Sequence, residues 1–307
     1  MNTISRSVVF LTVMMTVACV LYGRPQRSVP MCVKISGENC YISAKLDKST
    51  DILYWFKRCM ANELYTFYRV GVVQNDSENP VSSPDCEPDK TLNLAFSDNI
   101  GPFAVEGKGW LGGNHLSDKG ERTAVCQKWS IKIDGKAVRG DTICFARTVK
   151  IDVKNKIGDN FADETVEYVV RNTEIAVSCR HHFTVDKPVM VNRYYGMQSM
   201  FMDETTVRTE DGLYGRWTPI DSVSQFSDSE WPRFHLFEES DGKYKQICMI
   251  SRRGLGDRCF VEKGGPAYIG NSWGKSYHCL MWNHIVKSGD KTHWKGWYRW
   301  DISGQLT

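Results

Sequence analysis

The chain has 307 residues, 41 % of them hydrophobic, and a formal net charge of +3. That length and apolar share support a packed core and exclude an extended, disordered chain. A balance so close to neutral excludes a surface built to hold nucleic acid, which needs a strong basic excess.

At the N-terminus Arg6 precedes the apolar run from Val8 to Ala18, which is too short to cross a bilayer and has the pattern of an export signal. Thr16 and Ala18 occupy the small-residue positions of a signal-peptidase site, so the expected cut falls before Cys19 and the mature chain is expected to be secreted or at the cell surface. The same residues, Thr16-Val17-Ala18-Cys19, read as a degraded lipobox. A lipid anchor at Cys19 is therefore the alternative, and the only membrane attachment expected. The domain plan that follows is a signal peptide over residues 1–18 and a single β-sandwich domain over 19–307, with an N-terminal extension and a surface loop at 74–90. Setting Cys19 aside leaves ten of the eleven cysteines, an even number suited to disulfides in an exported chain. Cys32 with Cys40, across a turn at Gly37, and Cys248 with Cys259 are the nearest pairs. There is no CxxC pair and the histidines are scattered, so neither a zinc site nor any other cofactor is predicted.

Tyr41 to Leu46 alternates as a short strand. Asp51 to Val73 is rich in aromatic residues and fits either a strand pair or a helix followed by a strand. Gln74 to Lys90 carries Pro80, Pro84 and Pro88 and reads as surface loop; within it Asn75-Asp76-Ser77 is an N-glycosylation acceptor pattern. Gly107, Gly109 and Gly112 match G-x-G-x-x-G, but no amphipathic helix follows to present its amides to a phosphate, so a nucleotide site is excluded. The content of that stretch is Trp110 followed by Asn114 and His115, an aromatic platform beside a hydrogen-bonding pair.

From Ala124 the period is two. Trp129, Ile131 and Ile133 alternate up to the hairpin signal Asp134-Gly135; Ile143, Phe145, Val149, Ile151 and Val153 share one dry face; Val166, Tyr168 and Val170 continue the pattern. Residues 173–202 are predicted as two long antiparallel strands joined at Asp186-Lys187-Pro188. Parity puts Cys179, His181 and Phe183 on the dry face, with His181 as a hydrogen-bonded core histidine, and puts Arg180 and His182 on the wet one. In the second arm Asn192, Tyr194 and Gln198 share a face, with a hollow at Gly196. The C-terminal tryptophans, Trp273 to Trp300, pack a second sheet or stack on sugar rings. Hairpins without long helices predict an all-β fold, an antiparallel β-sandwich of jelly-roll type.

Imidazole, phenol, guanidinium and carboxamide gathered over one groove suit proton abstraction beside a carboxylate, the first step in cleaving a uronic-acid polymer by β-elimination. On that reading the catalytic residues are His182 or His115 as base, Tyr194 (or Tyr195) as acid and Arg180 on the carboxylate, with Asn114, Asn192, Gln198 and Trp110 holding substrate. The grouping over residues 110–202 resembles the active sites of secreted jelly-roll polysaccharide lyases, the alginate- and heparin-cleaving kinds. Arg193-Tyr194-Tyr195-Gly196-Met197-Gln198 echoes that family's tyrosine-containing strand, while its Arg-x-Glu-x-Arg strand and Gln-Ile-His or Gln-Val-His triplet have no counterpart here. The resemblance implies a secreted carbohydrate-active chain whose partner is a polysaccharide or glycan. Two other classes use parts of the same sequence. A non-catalytic glycan-binding or adhesion protein would need only the aromatic platforms, and a glycoside hydrolase would draw its acids from Asp203-Glu204 or Glu238-Glu239.

Overall fold

The computed structural model describes residues 29–95, 99–199, 243–248 and 280–302, and the strand backbone alone at 200, 205–209, 218–219, 224–226, 234–239, 249–250, 267–270 and 275–279. The export signal, Cys19, Cys259, Trp273 and the Asp203-Glu204 pair lie outside the described residues, and the side chains of Glu238 and Glu239 do too. In chain order the strands are β1 (Met31–Ser36), β2 (Asn39–Lys45), β3 (Thr50–Cys59), β4 (Leu64–Gln74), β5 (Lys90–Leu94), β6 (Phe103–Val105), β7 (Gly109–Leu111), β8 (Ala124–Ile133), β9 (Lys136–Ala137), β10 (Thr142–Ala146) and β11 (Val149–Ile157). They continue with β12 (Ala162–Arg171), β13 (Glu174–Phe183), β14 (Val189–Met200), β15 (Thr205–Thr209), β16 (Thr218–Pro219), β17 (Ser224–Phe226), β18 (Phe234–Glu239), β19 (Tyr244–Ile250), β20 (Ala267–Gly270), β21 (Lys275–Val286) and β22 (Lys291–Ile302).

Three antiparallel sheets result: a first of six strands (β10-β1-β2-β3-β4-β5), a long one of ten (β16-β15-β18-β19-β22-β13-β12-β11-β8-β9) and a third of six (β17-β20-β21-β14-β6-β7). The period-two pattern of the sequence fixes how they stack. On the long sheet Tyr168, Val177, Cys179, His181, Trp294, Tyr298 and Trp300 all turn to one buried face. The first sheet covers one end of that face: Phe56 meets Tyr168 at 5.6 Å, Tyr54 meets Trp300 at 5.7 Å and Phe67 meets Tyr298 at 5.0 Å between ring centroids. The third sheet covers the other end, where Phe103 lies 5.0 Å from His181 and Tyr194 lies 5.1 Å from it. Two shorter sheets side by side against one long sheet make the antiparallel all-β sandwich that the sequence predicts, and the chain passes repeatedly between the layers in the manner of a jelly roll.

Several local expectations hold. Asp134 and Gly135 both take positive φ, as a two-residue hairpin between β8 and β9 requires, and the Asp134 carboxylate caps the amides of Arg147 and Thr148. Asp51 to Val73 resolves as the β3–β4 strand pair. The loop from 75 to 89 is held by Asp51, whose fully buried carboxylate accepts from the Asn75 side chain and the Val81 amide, each at 2.7 Å, and pairs with Lys45 at 2.8 Å.

Others are corrected. β13 and β14 do not pair: β13 lies between β12 and β22 in the long sheet, β14 between β21 and β6 in the third. The joint at 184–188 is a crossing between layers, anchored by buried Val185 and by the Thr184 amide on Phe161 O at 2.8 Å. Ile143 and Phe145 leave the dry face, being 63 % and 58 % exposed, because the strand breaks at Arg147-Thr148 and β10 joins the first sheet while β11 joins the long one. No disulfide forms among the described residues. Cys32 faces Ser43 across the β1–β2 ladder and Cys40 faces Ile35, an odd offset that sends the two sulfurs to opposite faces. Burial pushes the Cys40 and Cys248 thiols up to about 12, so both are poor nucleophiles.

The expected hollow at Gly196 is filled from the neighbouring strand. A Cβ there would come within 2.1 Å of Leu280 Cδ1. Gly196→Ala is expected to destabilise the fold by about 1–3 kcal/mol through overpacking. In a Leu280→Ala background, where the methyls are gone, the same change should cost much less. Chemical denaturation of the four chains measures this, and equal costs in both backgrounds would refute the packing account.

Candidate functional site

The long sheet's alternation separates the predicted catalytic residues. Cys179 and His181 point inward, so their neighbours Arg180 and His182 point outward, away from the third sheet, and both are exposed. Arg180 stands beside His293 and Thr165 and His182 beside Lys291 and Asp163 in the ladders of β22 and β12. His293 bonds Ser178 Oγ at 3.1 Å, and its imidazole is held below the ordinary histidine range by burial first and then by the charges of Arg180 and Lys295.

Tyr194 turns the other way. It is 1 % exposed, stacks on Phe103 at 4.0 Å, accepts from Trp294 Nε1 at 2.8 Å and lies 3.9 Å from Cys179 Sγ. Burial, then the nearby Cys179 and Glu164, push its phenol well above the usual range. The cause of the reversed parity is a pair of irregularities in β14, one around Asn192 and one between Tyr194 and Gln198, that break the count of two. Gln198 is buried with Tyr194, while Asn192 is exposed at the bulge. Arg180, His182 and Tyr194 therefore do not face a shared groove.

Trp110, Asn114 and His115 sit at the edge of the third sheet. Asn62, 1 % exposed, ties this loop down: its amide nitrogen donates to Gly113 O at 2.8 Å and His115 O at 2.9 Å, and its carbonyl accepts from Thr123 N at 2.8 Å. Asn114 Oδ1 accepts from the Ala61 amide at 2.8 Å, a bond that braces the β3–β4 turn. The indole of Trp110 stacks on His115 at 5.2 Å and on Tyr195 at 5.5 Å. Arg193 donates to the Tyr195 hydroxyl at 3.2 Å and lies over Trp282 at 4.9 Å. The structure thus gathers His115, Trp110, Tyr195, Arg193 and Trp282 into one strip, and leaves Arg180 and His182 on another face.

A second aromatic surface, not singled out by the sequence reading, crosses the outer face of the first sheet. The ladders align Lys34, Tyr41, Trp55 and Arg69 in a single row over β1 to β4. Between Trp55 and Phe56 the register slips by one, so Tyr68 is an extra residue that joins Arg69 on the outer face. Tyr41 stacks on Trp55 at 5.3 Å and Tyr68 meets it edge-on at 4.9 Å. Lys57 stands 4.0 Å from the Trp55 centroid and 3.9 Å from that of Tyr68. Trp55 Nε1 donates to Asn39 at 2.9 Å, fixing the ring. Lys34 and Arg69 are neutralised from the 74–90 loop, by Asp85 at 2.6 Å and Glu87 at 2.7 Å. Among the described residues no carboxylate pairs with Lys57. The cavity lined by Tyr65, Asn155, Glu164 and Tyr168 has a volume of about 30 Å³, room for one water and not for a sugar.

No family model matches the chain, and no curated protein does. Among solved structures it is similar to the galactosidase domain of an α-galactosidase-sucrose kinase, AgaSK, with 12 % identity and a TM-score of 0.49 over 88 % of this chain and 42 % of that one. The α-galactosidase AgaB of Geobacillus stearothermophilus gives 11 % and 0.49, over 89 % of this chain and 41 % of that one. A protein assigned as an aldose 1-epimerase from Escherichia coli K12 gives 7 % and 0.41, over 89 % and 99 %. The chain thus spans about two fifths of the galactosidases it resembles. At these identities and scores the likeness carries no substrate or activity across.

The His293 environment makes a prediction with a definite sign. The folded chain holds this imidazole less protonated than the unfolded chain does, so its contribution to stability is present above the histidine range and is lost as pH falls through it. Titration by NMR should place His293 below an ordinary histidine, and Arg180→Gln should raise it. An unchanged value in that variant would remove the charge contribution.

Proposed function

We propose that this chain is a glycan-binding protein that meets an acidic polysaccharide across the outer face of the first sheet. One observation carries the reading: Lys34, Tyr41, Trp55 and Arg69 form a row across four strands, with Tyr68 brought beside it by the bulge and Lys57 by its place two residues after Trp55 on β3. Aromatic rings on a flat sheet offer apolar area to the C–H face of a pyranose at little entropic cost. Lys57, held against two rings and matched by no acid among the described residues, is placed to receive a carboxylate or sulfate. Export to the cell exterior, as the N-terminal pattern suggests, would bring such a surface to its ligand.

A second reading, a polysaccharide lyase acting by β-elimination, is favoured by the strip at the edge of the third sheet. Imidazole, phenol and guanidinium meet there through Trp110, with Tyr195 in place of Tyr194 as acid, His115 as base and Arg193 in place of Arg180 on the substrate carboxylate.

Both readings are tested by mixing the chain with polyuronates, sulfated glycans and neutral glycans, and recording binding together with the ultraviolet absorbance of an unsaturated uronide. Binding to acidic glycans without new absorbance is expected, weakening as salt is raised. Tyr41→Ala and Lys57→Gln should each weaken it about tenfold, the size of one cation–π or stacking contact, while the melting temperature stays near that of the parent. Binding untouched by both changes would overturn the assignment. Absorbance that appears and then vanishes in His115→Ala and Tyr195→Phe would install the lyase in its place.

A further inference from the structure

Between the long and third sheets lies a polar cluster that neither reading uses. Cys179 and His181 are two residues apart on β13, and Glu164 stands opposite His181 on β12. All three are almost fully buried, at 0 %, 2 % and 3 % exposure. One ligand atom from each lies within 4.8 Å of the others: Sγ to Nε2 is 3.6 Å, Sγ to Oε2 is 3.9 Å and Nε2 to Oε2 is 2.9 Å. A zinc ion bound tetrahedrally by sulfur, nitrogen and oxygen sets its ligands about 3.3–3.6 Å apart, so the two sulfur separations are within about 0.3 Å of what one ion would impose, and the Nε2–Oε2 pair, at hydrogen-bond distance without the ion, has to open by about half an ångström.

The supports around the triad are those that such an ion requires. His181 Nδ1 is bonded to Thr292 Oγ1 at 2.9 Å, which orients the ring with Nε2 toward the other two. Asn155 donates to Glu164 Oε1 at 2.7 Å, leaving Oε2 directed at the cluster. The Tyr194 hydroxyl, 3.9 Å from the sulfur and itself bonded by Trp294, is a further oxygen beside the triad. Charge points the same way. A buried thiolate and carboxylate together cancel a dication, whereas either anion alone would be costly at this depth.

We propose that Glu164, Cys179 and His181 form a buried structural site for a zinc-class divalent ion, with Tyr194 at the fourth position. On binding, Cys179 gives up its thiol proton to solvent and the imidazole carries its proton on Nδ1, donated to Thr292, so that Nε2 faces the ion. Affinity falls as pH is lowered, because protons compete for the same atoms. The site closes the sandwich between β12, β13 and β14 and is independent of the glycan surface.

The test uses the tag-free full chain, stripped by chelator under denaturing conditions and refolded with zinc or cobalt(II). One ion per chain by elemental analysis, a raised melting temperature, and a cobalt spectrum with a thiolate charge-transfer band are expected. Cys179→Ser should abolish that band; Thr292→Val, which only positions His181, should keep it with affinity reduced about 10- to 100-fold. Should Cys179→Ser not fold, Tyr194→Phe decides, since removing the hydroxyl beside the sulfur should shift the band. A wild-type chain that refolds cooperatively with no stoichiometric ion and no change in melting temperature overturns the proposal. So does a cobalt spectrum unaltered by Cys179→Ser or Tyr194→Phe.

Discussion

The architecture depends on one face of one sheet being covered twice. Tyr298 marks the seam. Its ring packs on Phe67 of the first sheet, and its one hydroxyl proton is shared between the backbone carbonyls of Asn99 and, in the third sheet, Gln198. Buried this deeply, a phenol must satisfy its oxygen or cost the fold dearly. It does so only with the third sheet in place, and the Asn99 loop is held in turn to the first sheet, where the Asn99 side-chain amide donates to Phe67 O at 2.7 Å. A second junction repeats the logic: Asn93 of β5, Ser199 of β14 and Gln246 of β19 are mutually hydrogen-bonded, and Gln246 also accepts from Trp300. Each joins all three sheets through groups that water cannot reach.

That division of labour explains why the interior is so polar for a sandwich. A core of aliphatic side chains alone would let two short sheets slide against the long one, since dispersion has little direction. Buried Asn62 and Gln246 give the layers fixed registers, because the partners of each, Gly113, His115 and Thr123 for one and Asn93, Ser199 and Trp300 for the other, are met together in only one arrangement. His181 and Glu164 tie strands within the long sheet. The outer surfaces carry the opposite chemistry, rings and cations that face solvent and are held by stacking and by loop acids. Chemistry-bearing residues are therefore abundant on both sides of the same sheets, and composition alone does not say which side any one of them takes.

Alternation separates inside from outside along the central strands of the long sheet and fails at β10, which belongs to another sheet. β11, β12 and β13 follow the expected parity from end to end, and His181 is the core histidine that its neighbours Val177 and Phe183 imply. Where a bulge intervenes the count is lost, and the sequence holds no clear sign of it. For this reason parity alone puts Tyr194 at the surface and separates Tyr68 from Arg69, where the bulges do the reverse. Pairing was the harder problem. β13 and β14 are adjacent in sequence, and Pro188 marks a turn, but both edges of β13 are claimed by β12 and by a strand more than a hundred residues away. Non-local competition of that kind leaves no local trace. Of the Lys34-Tyr41-Trp55-Arg69 row, the Lys34–Tyr41 pair is legible from the Gly37 turn, while the Trp55–Arg69 pair lies beyond the β4 bulge and is not.

The long sheet has ten strands, yet its terminal strands, β16 and β9, are two residues each, and the third sheet ends in β17 and β7, three residues each. Backbone left open along a flank is a template on which a stranger's chain, or a sister copy, could continue the ladder. Stubs of this length offer one or two amides and then stop. Among the described residues, four of the six sheet flanks thus give a growing fibril almost nothing to build on, and only β10 and β5 of the first sheet, five residues each, leave a longer rail.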